Sequence, residues 1–321
     1  MQDAGSQLEG PPVNPEKFIS PSLESRLPSA ISPREMDSPC VPAVALTNEK
    51  YDSNFYEKLR GTFKEPGIIY GAGVGNIFTM LECFTPDAPP RGLVTVDVNP
   101  AVIIAAKIFV RGFKRYDNWK DFAINVLFAR DEERKKMIDE VINSEKDQNK
   151  KRATNDAAVK RLNEAWDDIF DFNTFSGKPT YDIIESPSDF RYETMDDKYV
   201  PILAIARNYA LLRKLAMEGN IAVVYSDMFN PDLLKIISEL SEVQGQNLIY
   251  TSNISQTSIP TSLRGIPKGS DDGIYEKLNE RFRNLGILGS KNVFVHAEPT
   301  REKQLLAQTT VPQFKPADFI W

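Results

Sequence analysis

The chain has 321 residues, 41% of them apolar and 26% charged, with a formal net charge of −6; that is enough for one large α/β domain with insertions, or for a domain with a smaller companion. The acidic balance argues against a nucleic-acid partner, because such binding rests on Lys and Arg and on counterion release. Two cysteines in unlike contexts, Cys40 and Cys83, and a single histidine, His296, give no support to a disulfide framework or to a Cys/His metal site.

Residues 1–48 stand apart from the rest. Eight prolines (Pro11, Pro12, Pro15, Pro21, Pro28, Pro33, Pro39 and Pro42) interrupt a tract without a sustained apolar period. Such a tract cannot build its own core and reads as an arm, flexible or draped over a domain that spans 49–321. The chain does not open on a charged stretch followed by an apolar one, and no apolar run approaches the ~20 residues of a membrane span. A soluble, cytoplasmic protein is therefore expected, although a signal removed earlier or a non-standard export route leaves no trace in such a sequence.

From Tyr51 the pattern becomes regular. A helix is predicted over 54–63 and a short apolar strand over 68–70, running into Gly71-Ala72-Gly73-Val74-Gly75. Closely spaced glycines after a strand let the backbone turn tightly and approach a ligand. A helix over 77–84 follows, its first amides facing that turn. A proline-rich turn returns the chain to a second strand over 93–97, which ends in Asp97, placed to accept hydrogen bonds from ribose hydroxyls. Pro100 stands where a first helical residue is favoured, and Val102, Ile103, Ala106, Ile108, Phe109 and Phe113 give 101–113 a broad apolar face. Strand, helix, strand, helix implies a parallel sheet with right-handed crossovers.

The alternation then stops for about a hundred residues. A helical insertion is predicted over 114–219. Its part 119–175 carries charge runs together with Ala158, Leu162, Ala165, Trp166 and Ile169 at helical spacing. Trp166, Phe170 and Phe172 read either as packing within that unit or as a wall over a substrate. Folded back, the insertion would lie at the C-terminal edge of the sheet, where open α/β sheets bind ligands, and would act as a lid. Acidic residues Glu185, Asp189, Glu193, Asp196 and Asp197 read as a solvated loop or as pocket lining. After Pro201 a helix is predicted through Leu215, capped by Gly219. A third strand covers 221–227, and Asp227 there reads either as a ligand group or as the cap of a helix starting near Pro231. The fourth strand, 247–255, ends near Ser252 and Asn253, where Asn253 can also serve an Asx-turn. A helix over 274–285, a strand at 292–298 holding His296, and an antiparallel return over 304–311 complete the layout.

The glycine spacing decides between nucleotide motifs. A dinucleotide fingerprint G-x-G-x-x-G needs a further glycine at 76 or 78, where Asn76 and Phe78 stand. No G-K-[S/T] follows, which excludes a P-loop. The motif as it stands, G-x-G-x-G, resembles motif I of the class I S-adenosylmethionine-dependent methyltransferases, and Asp97 matches the acid that holds the ribose in that family. Ile69 replaces the acid usual two residues before the first glycine, and Tyr70 replaces a small residue or Asp/Cys. Asn76-Ile77-Phe78-Thr79 and Leu127-Phe128-Ala129-Arg130 are similar to segments of a group of bacterial methyltransferase-like proteins whose reaction is not established. The run Tyr250 to Ile254 is more faintly similar to enzymes that transfer the aminocarboxypropyl arm of the same cofactor in betaine-lipid synthesis.

The resemblance implies a Rossmann-like, mostly parallel sheet with helices on both faces, and S-adenosylmethionine as cofactor. It assigns Gly71, Gly73, Gly75, Asp97 and Asp227 to that cofactor, with their neighbours Tyr70, Asn76, Val98, Asn99 and Met228. Asn253 and Ser252 fall near the reacting centre. The implied activity is transfer, foremost of methyl, to a small or medium-sized molecule or a peptide, without a metal. Two alternatives stand beside it: a non-catalytic binding protein of the same fold, and an aminocarboxypropyl or aminopropyl transferase.

Overall fold

The computed structural model describes residues 22–27, 49–50, 53–60, 62–97, 100–144, 183–191, 200–226, 228, 230, 232–233, 235–237, 239, 245–250, 292–295, 298–299 and 305–306. In chain order the strands are β1 (Glu49–Lys50), β2 (Pro66–Ala72), β3 (Gly92–Asp97), β4 (Ile221–Tyr225), β5 (Gln246–Tyr250), β6 (Asn292–Val295), β7 (Glu298–Pro299) and β8 (Leu305–Leu306). Helices α1 (Leu23–Arg26), α2 (Ser53–Arg60), α3 (Gly75–Thr79), α4 (Pro100–Arg115), α5 (Trp119–Phe122), α6 (Asp131–Ser144), α7 (Val200–Arg207) and α8 (Tyr209–Met217) accompany them. Among the described residues, no helix is long and apolar enough to cross a membrane.

β2 to β6 form one sheet in the order β4-β3-β2-β5-β6, parallel at every junction. β1, β7 and β8 make a second, minimal sheet, in which β8 runs parallel to β1 and antiparallel to β7. The protein is therefore α/β, as the spacing of its apolar runs predicts. β2 to β5 are buried on both faces, which is why they read as nearly continuous apolar runs. Ile69, Leu93, Ile221, Leu248 and Tyr250 join one hydrophobic core with α3, α4, α7 and α8. Their strand neighbours Ile68, Tyr70, Val94, Val96, Ala222, Val224 and Ile249 alternate to the opposite face and are buried there. The chain after β4 supplies Met228, Leu233 and Ile237, all buried, and Tyr70 Oη reaches into this segment. Where the β2–β5 register shifts between Pro66 and Ile69, the buried Asn247 side chain substitutes for the ladder and accepts from Ile68 N–H at 2.9 Å.

Local signals place the helix ends. Pro100 opens α4, in keeping with a first helical position that needs no N–H. Gly219, at φ 70°, ends α8: its N–H donates to Ala216 and the N–H of Asn220 to Leu215, a Schellman cap. Asn208 divides the helix expected over 202–215 into α7 and α8. Its side-chain amide donates to the carbonyl of Ala204 and to Glu82.

The first part of the insertion does not lie where a lid would. α4 starts beyond the end of β3 and runs back along the sheet; Lys114, near its far end, pairs with Glu24 of α1 at 2.8 Å. α1 itself sits under the start of β3, where Leu23 Cδ1 occupies the space a Gly92 Cβ would need. Phe122 and Val126 fill the space left open at Gly112, near that same end of α4. Phe113 stacks on Phe122 at 4.8 Å, and Tyr209 meets both rings. Residues 119–144 thus extend the helical layer beside α4, because their aromatic faces find α4 and α8. Residues 145–182, with Trp166, Phe170 and Phe172, lie outside the described residues.

A polar tie crosses this core. Glu82, 8% exposed, lies on the 3-10 turn Met80–Cys83 that continues α3. Its Oε2 accepts from Arg60 of α2 at 3.1 Å, and its Oε1 from Asn208 at 2.9 Å. Arg60 Nε also donates to the main-chain carbonyl of Glu82 at 2.6 Å. One buried carboxylate thus joins three segments around the glycine turn. Glu82→Ala is expected to lower the free energy of unfolding by ~2 kcal/mol in urea denaturation, less than a fully buried pair because Arg60 is partly solvated. A loss below ~0.5 kcal/mol would show that the three segments hold together without it.

Candidate functional site

The order of the sheet reverses between β2 and β5, and the region beyond the C-terminal ends of strands at such a reversal is where open α/β sheets hold ligands. Each of the three glycines has a distinct setting there. Gly71 is forced by close approach: a Cβ would lie 2.9 Å from both Cβ and the carbonyl oxygen of Tyr250, its register partner on β5. Gly73 adopts φ 78°, the left-handed region that disfavours other residues. Gly75 begins α3, and its carbonyl accepts from the Thr79 hydroxyl at 3.0 Å.

The turn is fastened to the neighbouring strand. Thr95 Oγ1 donates to the Gly73 carbonyl at 2.8 Å. Because Ala72 pairs with Val96, the next residues on the two strands, Gly73 and Asp97, come level at the sheet edge. Asp97 is half-buried. Its carbonyl accepts from Ser226 N–H at 3.1 Å, which carries the β3–β4 ladder one step past the strand. Tyr225 is the register partner of Asp97, on the same face, and is 9% exposed. Burial, and then the charge of Asp97, push the Tyr225 phenol above its ordinary value. It is a neutral hydroxyl beside a carboxylate. The arrangement offers a tight backbone turn, an acceptor for vicinal hydroxyls and an aromatic edge.

The sequence-predicted residues are placed as follows. Gly71, Gly73, Gly75 and Asp97 lie together at the C-terminal ends of β2 and β3 and the start of α3. Tyr70 joins them only through its main chain: it alternates with Gly71 to the other face, is fully buried, and donates its hydroxyl to the Met228 carbonyl at 2.6 Å. Met228 is buried too. The Tyr70 hydroxyl thus ties the segment after β4 to the sheet through the Met228 main chain. Asn76 lies in α3, its side chain outside the described residues, as are Val98, Asn99, Asp227, Ser252, Asn253 and His296. Asn230 Oδ1 accepts from Asp232 N–H at 2.9 Å. Glu185 pairs with Lys120 of α5 in the helical layer. Cys83 is fully buried, which raises its thiol, and is inert packing.

From the sequence Thr95 and Tyr225 have no role, and Tyr250 stands only as the start of the run Tyr250 to Ile254. The period-two alternation that puts them on the face of Gly71 and Asp97 was the available signal. Among the described residues no group of three His, Cys, Asp or Glu is arranged to hold a metal ion. An open groove of about 670 Å³ lies elsewhere, along α6, between Arg111, Lys135 and Lys136 and the acids Glu132, Asp139 and Glu140. Its charges of both signs define no ligand class.

No protein-family model matches the chain, and no curated protein matches its sequence.

Gly71→Ala tests how tightly the crevice floor is built. The added methyl meets backbone of β5 rather than a movable side-chain end, so the two strands must part. A loss of ~1–3 kcal/mol in stability is expected from thermal or denaturant melts. An unchanged variant would show that β2 and β5 stand further apart than the Gly71–Tyr250 contact implies.

Proposed function

We propose that the crevice at the ends of β2 and β3 binds the nucleoside part of S-adenosylmethionine and that the protein is a transferase using this cofactor. The observation that carries the reading is the left-handed turn at Gly73, bonded by Thr95 so that it stands level with Asp97 at the point where strand order reverses. The order β4-β3-β2-β5-β6, parallel throughout, supports the finer, Rossmann-like reading of the fold, since doubly wound sheets share it. Asp97 accepts from the ribose hydroxyls. The G-x-G-x-G spacing, short of the third glycine of dinucleotide proteins, favours this cofactor over a nicotinamide one.

Methyl transfer is the leading reaction. A nucleophile of the acceptor forms a bond to the methyl carbon while the carbon–sulfur bond breaks, and the sulfonium leaves as the neutral thioether of S-adenosylhomocysteine. The carbon is already activated, so alignment supplies most of the acceleration. Asn253 and Ser252, following β5, are the residues proposed to orient a small-molecule or peptide acceptor, and Asp227 to meet the base. A second reading is a binding protein that kept the fold without the chemistry. It is favoured by Ile69, fully buried and apolar where the resembled family places an acid.

Asp97→Ala is expected to weaken S-adenosylhomocysteine binding by ~1.5–3 kcal/mol, about ten- to more than a hundredfold, as for hydrogen bonds to a charged group. Titration calorimetry measures this, with a circular dichroism spectrum matching the parent as the check on folding. Wild-type protein that binds neither S-adenosylmethionine nor S-adenosylhomocysteine at millimolar concentration refutes the reading, and tight NAD binding would replace it.

A further inference from the structure

Tyr250 ends β5 directly across from Gly71. It is fully buried, and its hydroxyl has no hydrogen-bond partner among the described residues. Buried hydroxyls rarely go without a partner, and one that does costs the fold its desolvation. The ring leans over the glycine: its Cδ1 lies 3.4 Å from where a Gly71 Cβ would stand. Gly71 pairs with Thr95 on its other side, and Asp97 follows Thr95 by two residues, so Tyr250, Gly71 and Asp97 share one face of the sheet.

The two polar groups flank β2. Asp97 stands one strand away toward β4 and Tyr250 one strand away toward β5, so they are separated by two strand spacings, roughly 10 Å across the sheet. β2 itself offers no free side-chain donor between them: Ile69 is apolar, and the Tyr70 hydroxyl is taken by Met228 on the opposite face. On the β4 side, Tyr225 presents a ring beside Asp97, suited to a flat base. On the β5 side, among the described residues, stands the orphaned hydroxyl, suited to a polar tail. A ligand with its ribose at Asp97 and its base toward β4 sends its 5′ substituent toward Tyr250.

We infer that the Tyr250 hydroxyl is the hydrogen-bond donor to the carboxylate of the ligand's amino-acid tail, an inference that rests on the nucleoside reading of the crevice above. It assigns a partner to the one end of the ligand for which the glycine turn and Asp97 provide none.

The test is Tyr250→Phe, with two probes: S-adenosylhomocysteine, and 5′-methylthioadenosine, which keeps the nucleoside and lacks the amino-acid tail. Without ligand the variant is expected to melt at the same temperature or higher, because an unpartnered hydroxyl has been removed. In calorimetry its affinity for S-adenosylhomocysteine is expected to fall about five- to tenfold, while that for 5′-methylthioadenosine stays within about twofold. An unchanged affinity for S-adenosylhomocysteine overturns the inference. So does an equal loss for both probes, which would place the effect in the packing over Gly71, and so does a markedly lower melting temperature without ligand, which would mean the hydroxyl is satisfied inside the fold. Wild-type protein that binds neither probe is a different failure: it removes the nucleoside reading, and the inference falls with it.

Discussion

The bond from the Thr95 hydroxyl to the Gly73 carbonyl holds the glycine turn against β3, and the geometry of the strand ends depends on it. A left-handed residue after a strand has many directions in which to send the chain. Anchored to β3, the turn has one, and it starts α3 at Gly75 while Asp97 stays level with Gly73. The other side is fixed by steric exclusion: Gly71 has no side chain because Tyr250 occupies the space. β2 is thus held by a hydrogen bond toward β3 and by close packing toward β5, and the crevice opens between two constrained walls.

The helical layer serves that arrangement from below. α3 is short and would not persist alone. It continues through a 3-10 turn whose Glu82 is gripped by Arg60 and Asn208, and α7 lies along it. The aromatic cluster of Phe109, Phe113, Trp119, Phe122 and Tyr209 then couples α4 to α5 and α8. Burial pushes the Tyr209 phenol above its ordinary value, against the lowering pull of Arg213, and its hydroxyl donates to Tyr116.

Much of the fold was legible because its signals are local. An apolar run ending in glycines gives β2, Pro100 gives the start of α4, and Gly219 gives the end of α8. Each depends on the φ, hydrogen-bonding or burial needs of a few consecutive residues. What was illegible depends on partners distant in sequence. Tyr70 sits inside the motif, yet the period of two turns its side chain to the other face, where it bonds the Met228 carbonyl, a partner 158 positions away. Helical spacing over 119–144 shows that an apolar face exists but not which element covers it, and the choice of α4 over the strand ends follows from Gly112 leaving room for Phe122. Asn208 breaks a helix that periodicity carries through, because its amide is held by Glu82 across 126 positions. Only the sheet register sets Tyr225 beside Asp97 and Tyr250 over Gly71.

The central claim is that a nucleoside ligand sits at the ends of β2 and β3. Hydrogen exchange read by mass spectrometry, on the protein alone and saturated with S-adenosylhomocysteine, locates the ligand without any knowledge of the acceptor. The account predicts added protection in peptides covering 66–75, 92–97 and 220–226, with 131–144 along the charged groove unchanged. Protection confined to 131–144, or none at millimolar ligand, would contradict it.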